Sequence, residues 1–150
     1  MIHHLFHYLF GSSVSQEYNR SMTKLLVVDD APFIIEIIRH ILKNTSYEII
    51  GEAANGVEAI EMATNLRPDI ILMDIIMPHK SGIDAAKDIL KLLPNTKIIA
   101  FSTADHESMV MLALEAGCCD YVNKPFKAEL LLKTLEKALD MNVPKARAKA

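Results

Sequence analysis

KLLVVDDAPFIIEIIRHIL, residues Lys24 to Leu42, joins two patterns in one short stretch. The run up to Val28 is apolar, of strand length and without polar alternation, as expected of a strand covered on both faces. It stops at Asp29-Asp30, and Pro32 then stands near the first position of a helix that Asp30 is placed to cap. Ile34, Ile37, Ile38, Ile41 and Leu42 follow as one apolar stripe at helical spacing. A buried strand, an acidic corner and an amphipathic helix make one βα unit.

The unit recurs along the chain. Further strands are expected at Glu48–Ala53, Ile70–Met73, Lys97–Phe101 and Tyr121–Asn123. Between and after them run helical stripes: Val57, Ile60 and Ala63; Ile83, Ala86, Leu90 and Leu93; Met109, Leu112, Ala113 and Ala116, closed by Gly117; and Leu131, Leu135 and Leu139. Five strands alternating with five helices predict an α/β fold with a parallel sheet between helices. Right-handed crossovers bring every strand's carboxyl end to the same sheet edge, where such folds bind ligands.

The rest of the chain sets bounds. At 150 residues there is room for one domain with short tails: an extension over 1–22, a core over 23–140 and a tail over 141–150. With 51% hydrophobic and 23% charged residues it has the profile of a globular protein, and a net charge of -3 argues against nucleic acid as a partner. Met1 to Phe10 is apolar and aromatic, but too short to cross a bilayer and without the basic start of a secretory signal. His3, His4 and His7 there invite a metal reading, although a flexible or amphipathic end explains them as well. Met22 reads equally as a natural start. Cys118 and Cys119 are adjacent, which builds neither a disulfide framework nor a zinc site and suits a reducing cytoplasm; they read as small half-buried residues before the last strand. The Gly51–Gly56 stretch lacks the G-K-[ST] of a phosphate loop.

At the carboxyl ends of the strands the polar residues fall into a set. Strand one ends in Asp29 and Asp30, strand three in Asp74, strand four in Ser102 or Thr103, and strand five in Lys124. Strand two ends in Ala53, Ala54 and Asn55, as suits a strand at the sheet's margin. Three converging carboxylates repel and need a cation to stay ionised; magnesium fits, because it takes oxygen ligands and is shared between carboxylates and phosphate. Asp74 is placed to act as a nucleophile on phosphorus, with the metal, Lys124 and a hydroxyl stabilising the equatorial oxygens.

The motifs V-V-D-D (Val27–Asp30), M-D-I-I-M-P (Met73–Pro78), F-S-T-A (Phe101–Ala104) and K-P-F (Lys124–Phe126) make the chain from about Lys24 to Asp140 resemble the CheY-like receiver domains of two-component response regulators. The resemblance implies a flavodoxin-like three-layer sandwich with sheet order 2-1-3-4-5. It implies Asp74 as phosphoacceptor, Asp30 as a direct ligand of Mg2+, Asp29 as holder of a metal-bound water, and the Ile76 backbone carbonyl as a further ligand. Lys124 is expected to pair with Asp74 and then with the phosphoryl group, its bond to Pro125 being cis. The family's spacing back from Lys124 selects Ser102 as the hydroxyl, and Thr103 takes a position where the family usually has a small residue. Ser102 and Tyr121 are the implied switch pair. The implied partners are a histidine kinase as phosphodonor and a protein target on the face of helix four, strand five and helix five, with the chain a monomer or a switch-dependent dimer. D-D-A-P-F and the run Ala104–Val110 resemble chemotaxis-type regulators, and Ile76 with Ala104 implies slow self-dephosphorylation.

Taken singly, each residue has a plainer role. Asp30 caps a helix, Asp74 is a loop carboxylate, Lys124 a solvated surface lysine, Ser102 a strand-end hydroxyl and Tyr121 a packing aromatic. Their joint placement at one edge carries the reading. An aspartyl-nucleophile phosphohydrolase needs similar groups, but its D-x-D would follow strand one, and Ile76 stands where the second carboxylate belongs. A dinucleotide binder would need G-x-G-x-x-G, which the sequence lacks.

Overall fold

The computed structural model describes residues 21–103 and 107–141. The elements run β1 (Thr23–Val28), α1 (Pro32–Leu42), β2 (Tyr47–Ala53), α2 (Gly56–Leu66), β3 (Ile70–Asp74), α3 (Gly82–Leu92), β4 (Lys97–Ser102), α4 (Glu107–Glu115), β5 (Asp120–Asn123) and α5 (Ala128–Asp140). All pairings are parallel, and the sheet order is β2-β1-β3-β4-β5. This is the flavodoxin-like arrangement expected from the sequence. His3, His4 and His7, with the rest of 1–20, Ala104 and residues 142–150, lie outside the described residues.

Every strand is one residue longer than its apolar run. The extra residues are Thr23, Tyr47, Asp74, Ser102 and Asp120. Ladder bonds continue past the apolar stretch, pairing Thr23 with Tyr47, Asp74 with Phe101, Ser102 with Asn123 and Asp120 with Ile99. Backbone pairing is indifferent to side-chain polarity, so hydropathy alone starts a strand too late or ends it too early.

Strand alternation divides the core. Leu26, Val28, Ile71, Met73, Ile98 and Ala100 face α2, α3 and α4, whereas Leu25, Val27, Ile70, Leu72, Ile99 and Phe101 face α1 and α5. Both faces being covered explains the absence of polar alternation in β1, β3 and β4.

The helical stripes need correction. In α1 the buried positions are Ile35, Ile38 and Leu42, with Ile34 and Ile41 only partly covered. Val57, Leu112 and Leu139 are exposed; α2 reaches the sheet through Ala63 as expected and through Ala59, with Ile60 packed partly buried beside them. A helix face is set by where the helix axis lies over the sheet, and small residues win where the approach is close. Cys118 is buried among the α2–α4 side and Cys119 packs partly buried on the α1–α5 side, so successive thiols point to opposite faces.

The caps explain how strands turn into helices. Asp30 does not cap α1: its N-cap is Ala31, and the Ala31 amide donates to Asp29 Oδ1 at 2.8 Å. At α2, Asn55 Oδ1 accepts from the Glu58 amide and Glu58 Oε2 accepts from the Ala54 amide, a reciprocal pair closing the loop after β2. Ser81 Oγ accepts from the Asp84 amide to start α3.

Candidate functional site

Because β1 and β3 are neighbours at the centre of the sheet, Asp29, Asp30 and Asp74 emerge together at its carboxyl edge. One oxygen from each lies within 4.8 Å of the others. Asp29 and Asp74 are buried, whereas Asp30 is exposed. A shallow depression lined by Asp29, Asp30, Glu52 and Glu58, about 230 Å3 in volume, opens beside them toward solvent.

Asp74 is held in place from several sides. The Ile76 amide donates to its Oδ1 at 3.1 Å, and Lys124 Nζ lies 3.4 Å from its Oδ2. Burial pushes the Asp74 carboxyl above the ordinary range; Lys124 and the Ile76 amide pull it back, and the nearby Asp29 charge adds to the rise. Three carboxylates this close, two of them short of water, form a hard-oxygen set suited to a divalent cation.

Lys124 arrives from the far side of the sheet. Its amide donates to the Ser102 carbonyl at 2.9 Å, the Lys124–Pro125 peptide is cis, and the side chain runs back over the sheet end. Nζ donates to Asp29 Oδ2 at 2.5 Å, closer than to Asp74. The ammonium therefore spans both buried acids, with Asp29 as a nearer partner beside Asp74. It also sits 4.6 Å from the centroid of the Phe101 ring.

Ser102 and Thr103 are separated by the fold. Ser102 is 1% exposed at the end of β4, and Thr103 is exposed beyond it. Tyr121 lies in β5, partly buried against the α2–α4 side of the core. Ile76 presents its side chain to solvent at 53% exposure.

A family comparison agrees with this geometry: the family described as response regulator receiver domain matches residues 25–136. The chain belongs to the response regulator receiver family. Among relatives of this receiver domain, the chemotaxis protein CheY of Thermotoga maritima is 44% identical over 114 residues, covering 76% of this chain and 95% of that protein. CheY of Listeria monocytogenes is 40% identical over 117 residues, covering 78% and 98%. The CheX-CheY-BeF3-Mg2+ complex from Borrelia burgdorferi superposes with a TM-score of 0.78 at 27% identity, over 83% of this chain and 95% of that one. The response regulator domain of Thermotoga maritima CheB gives 0.74 at 31% identity, over 81% and 98%.

Two features of the receiver site were not read from the sequence. Gly82 is one: a Cβ there would run into the Asp74 carbonyl oxygen and lie 2.7 Å from Ile75 Cα, so the start of α3 closes directly on the Asp74 backbone. The Gly82 amide donates to the Ile75 carbonyl at 3.2 Å. A glycine just after Ser81 was the available signal. The other is the Phe101 ring, which sequence reading places only as a strand residue.

Proposed function

We propose that this receiver domain, the unit over 23–140, accepts a phosphoryl group on Asp74 in a magnesium-dependent reaction and passes the signal to a protein partner. The observation that carries the reading is the meeting of Asp29, Asp30 and Asp74 within 4.8 Å, with Lys124 reaching two of them.

Each residue has a role that follows from its setting. Asp74, buried and with one oxygen fixed by the Ile76 amide, presents its other oxygen for attack on phosphorus. Asp30, exposed at the rim, and Asp29 would hold Mg2+ together with Asp74 and the Ile76 carbonyl. When bound, the ion would neutralise the carboxylates and the charge on the phosphoryl oxygens. Lys124 carries a fixed positive charge toward the same oxygens, and Ser102, buried at the end of β4, supplies the hydroxyl. Ser102 and Tyr121 occupy neighbouring strands, since β4 and β5 pair directly, and would link the site to the α4–β5–α5 face.

The phosphodonor in this reading is a histidine kinase, and similarity to CheY proteins favours chemotaxis as the pathway. Helices α4 and α5 also carry exposed Met111, Leu112, Leu114 and Leu130, apolar side chains available to a protein target. Among the described residues no helix is long and apolar enough to cross a membrane, and the adjacent Cys118 and Cys119, which suit a reducing compartment, favour the cytoplasm.

The deciding experiment is incubation with acetyl phosphate and Mg2+ followed by intact mass measurement. Wild type should gain one phosphoryl group and Asp74→Asn none. Labelling that persists in the Asp74→Asn variant would place the acceptor elsewhere.

A further inference from the structure

Lys124 has a third partner, which is not an acid. Its Nζ lies 4.6 Å from the centroid of the Phe101 ring, within the range of cation–π attraction. That ring is 2% exposed, and Phe126 packs against it edge-on, with centroids 6.2 Å apart and planes at 84°. The sheet register explains the placement. Phe101 pairs directly with Asp74 on one side, so both side chains leave the same face, and with Val122 on the other, two residues before Lys124.

We propose that Phe101 is a positioning residue, whose ring face seats the Lys124 ammonium beside Asp74. The inference rests on the phosphoacceptor reading above and adds what keeps the lysine in place. Lys124 is only 9% exposed and leans on Asp29 and Asp74, the same acids a divalent ion would claim. Once another cation shares those carboxylates, attraction between them and the ammonium weakens by like-charge repulsion. A neutral aromatic face is not a metal ligand and keeps its hold. Attraction to a ring quadrupole is strongest where water is excluded, as it is here.

A filler of the core and a cation seat differ in what they require of the ring. Phenylalanines bearing one, two or three fluorines at position 101 keep nearly the same volume while weakening the π face stepwise. The expected result is a graded fall in the initial rate of Asp74 labelling by acetyl phosphate and Mg2+, reaching about tenfold at the weakest ring. Equal rates across the series, with Phe101→Leu alone slow, would overturn the proposal and leave the ring a volume filler.

A second readout needs no phosphorylation. In chelator-treated protein the Lys124 ε-methylene signals, assigned by their loss in Lys124→Met, should be displaced upfield by the ring. The displacement should survive Phe101→Tyr and vanish in Phe101→Leu. Unshifted signals in wild type overturn the seating. Failure of wild type to label at all sinks the phosphoacceptor reading instead, and the methylene shift then decides the seating by itself.

Discussion

Lys124 Nζ stands 2.5 Å from Asp29 Oδ2 and 3.4 Å from Asp74 Oδ2, so one ammonium is shared between two buried acids contributed by different strands. With side chains 1% and 7% exposed, neither acid has water enough to stay charged cheaply. The lysine is thus a structural counter-ion as well as a chemical group.

Removing it should therefore cost folding stability. Lys124→Met should lower the unfolding free energy by about 3 kcal/mol in EDTA, the usual order for leaving buried charge unpaired. Saturating Mg2+ should recover most of that loss, since a divalent cation replaces the missing charge. Urea denaturation with and without Mg2+ measures both numbers, and equal stability of variant and wild type in EDTA would refute the coupling.

Asp74 predicts a pH dependence of definite sign. Its folded-state pKa is raised, by burial first and by Asp29 in addition, against the opposing Lys124 and Ile76 amide. Between the ordinary aspartate pKa and that raised value, the folded chain binds more protons than the unfolded one. The contribution of Asp74 to stability therefore falls as pH rises through this window and stays unfavourable above it. In metal-free solution Asp74→Asn should be more stable than wild type at neutral pH, the difference closing as pH drops below the ordinary aspartate value. Chemical denaturation from acid to neutral pH tests this; a difference independent of pH would contradict it.

Gly82 allows almost no addition. Gly82→Ala drives a methyl group into the Asp74 carbonyl and against Ile75 Cα, both backbone atoms that yield only by moving Asp74. We expect a loss of about 2 kcal/mol from overpacking, together with slower labelling of Asp74. Thermal unfolding and the acetyl phosphate assay report the two effects. An alanine variant with wild-type values for both would show that α3 can shift without consequence.

The phosphorylated protein should be long-lived. Ile76 is exposed beside the acceptor and its aliphatic side chain cannot orient an attacking water. Loss of label from isolated phosphoprotein should take minutes or longer, and Ile76→Asn should hasten it. Decay within seconds in wild type is the outcome that excludes this.

Much of this was legible in the sequence. The alternation of apolar runs and helical stripes determined a parallel α/β sheet, and the acids at the ends of β1 and β3, with Lys124 after β5, determined which residues could share an edge. These are local properties: strand burial shows in unbroken apolar runs, and chain reversal shows in prolines, glycines and polar corners.

What only the tertiary structure decided is which atoms meet. Sequence pattern could not tell that Lys124 favours Asp29 over Asp74, or that Phe101 lies beneath the ammonium, because both depend on register between strands distant in the chain. Nor could it show that Asp29 rather than Asp30 takes the amide at the start of α1, that Ala59 meets the sheet while Val57 faces solvent, or that Gly82 abuts the Asp74 backbone. Distances of a few ångströms across a packed edge are set by the whole arrangement of strands and helices, and no local segment contains them.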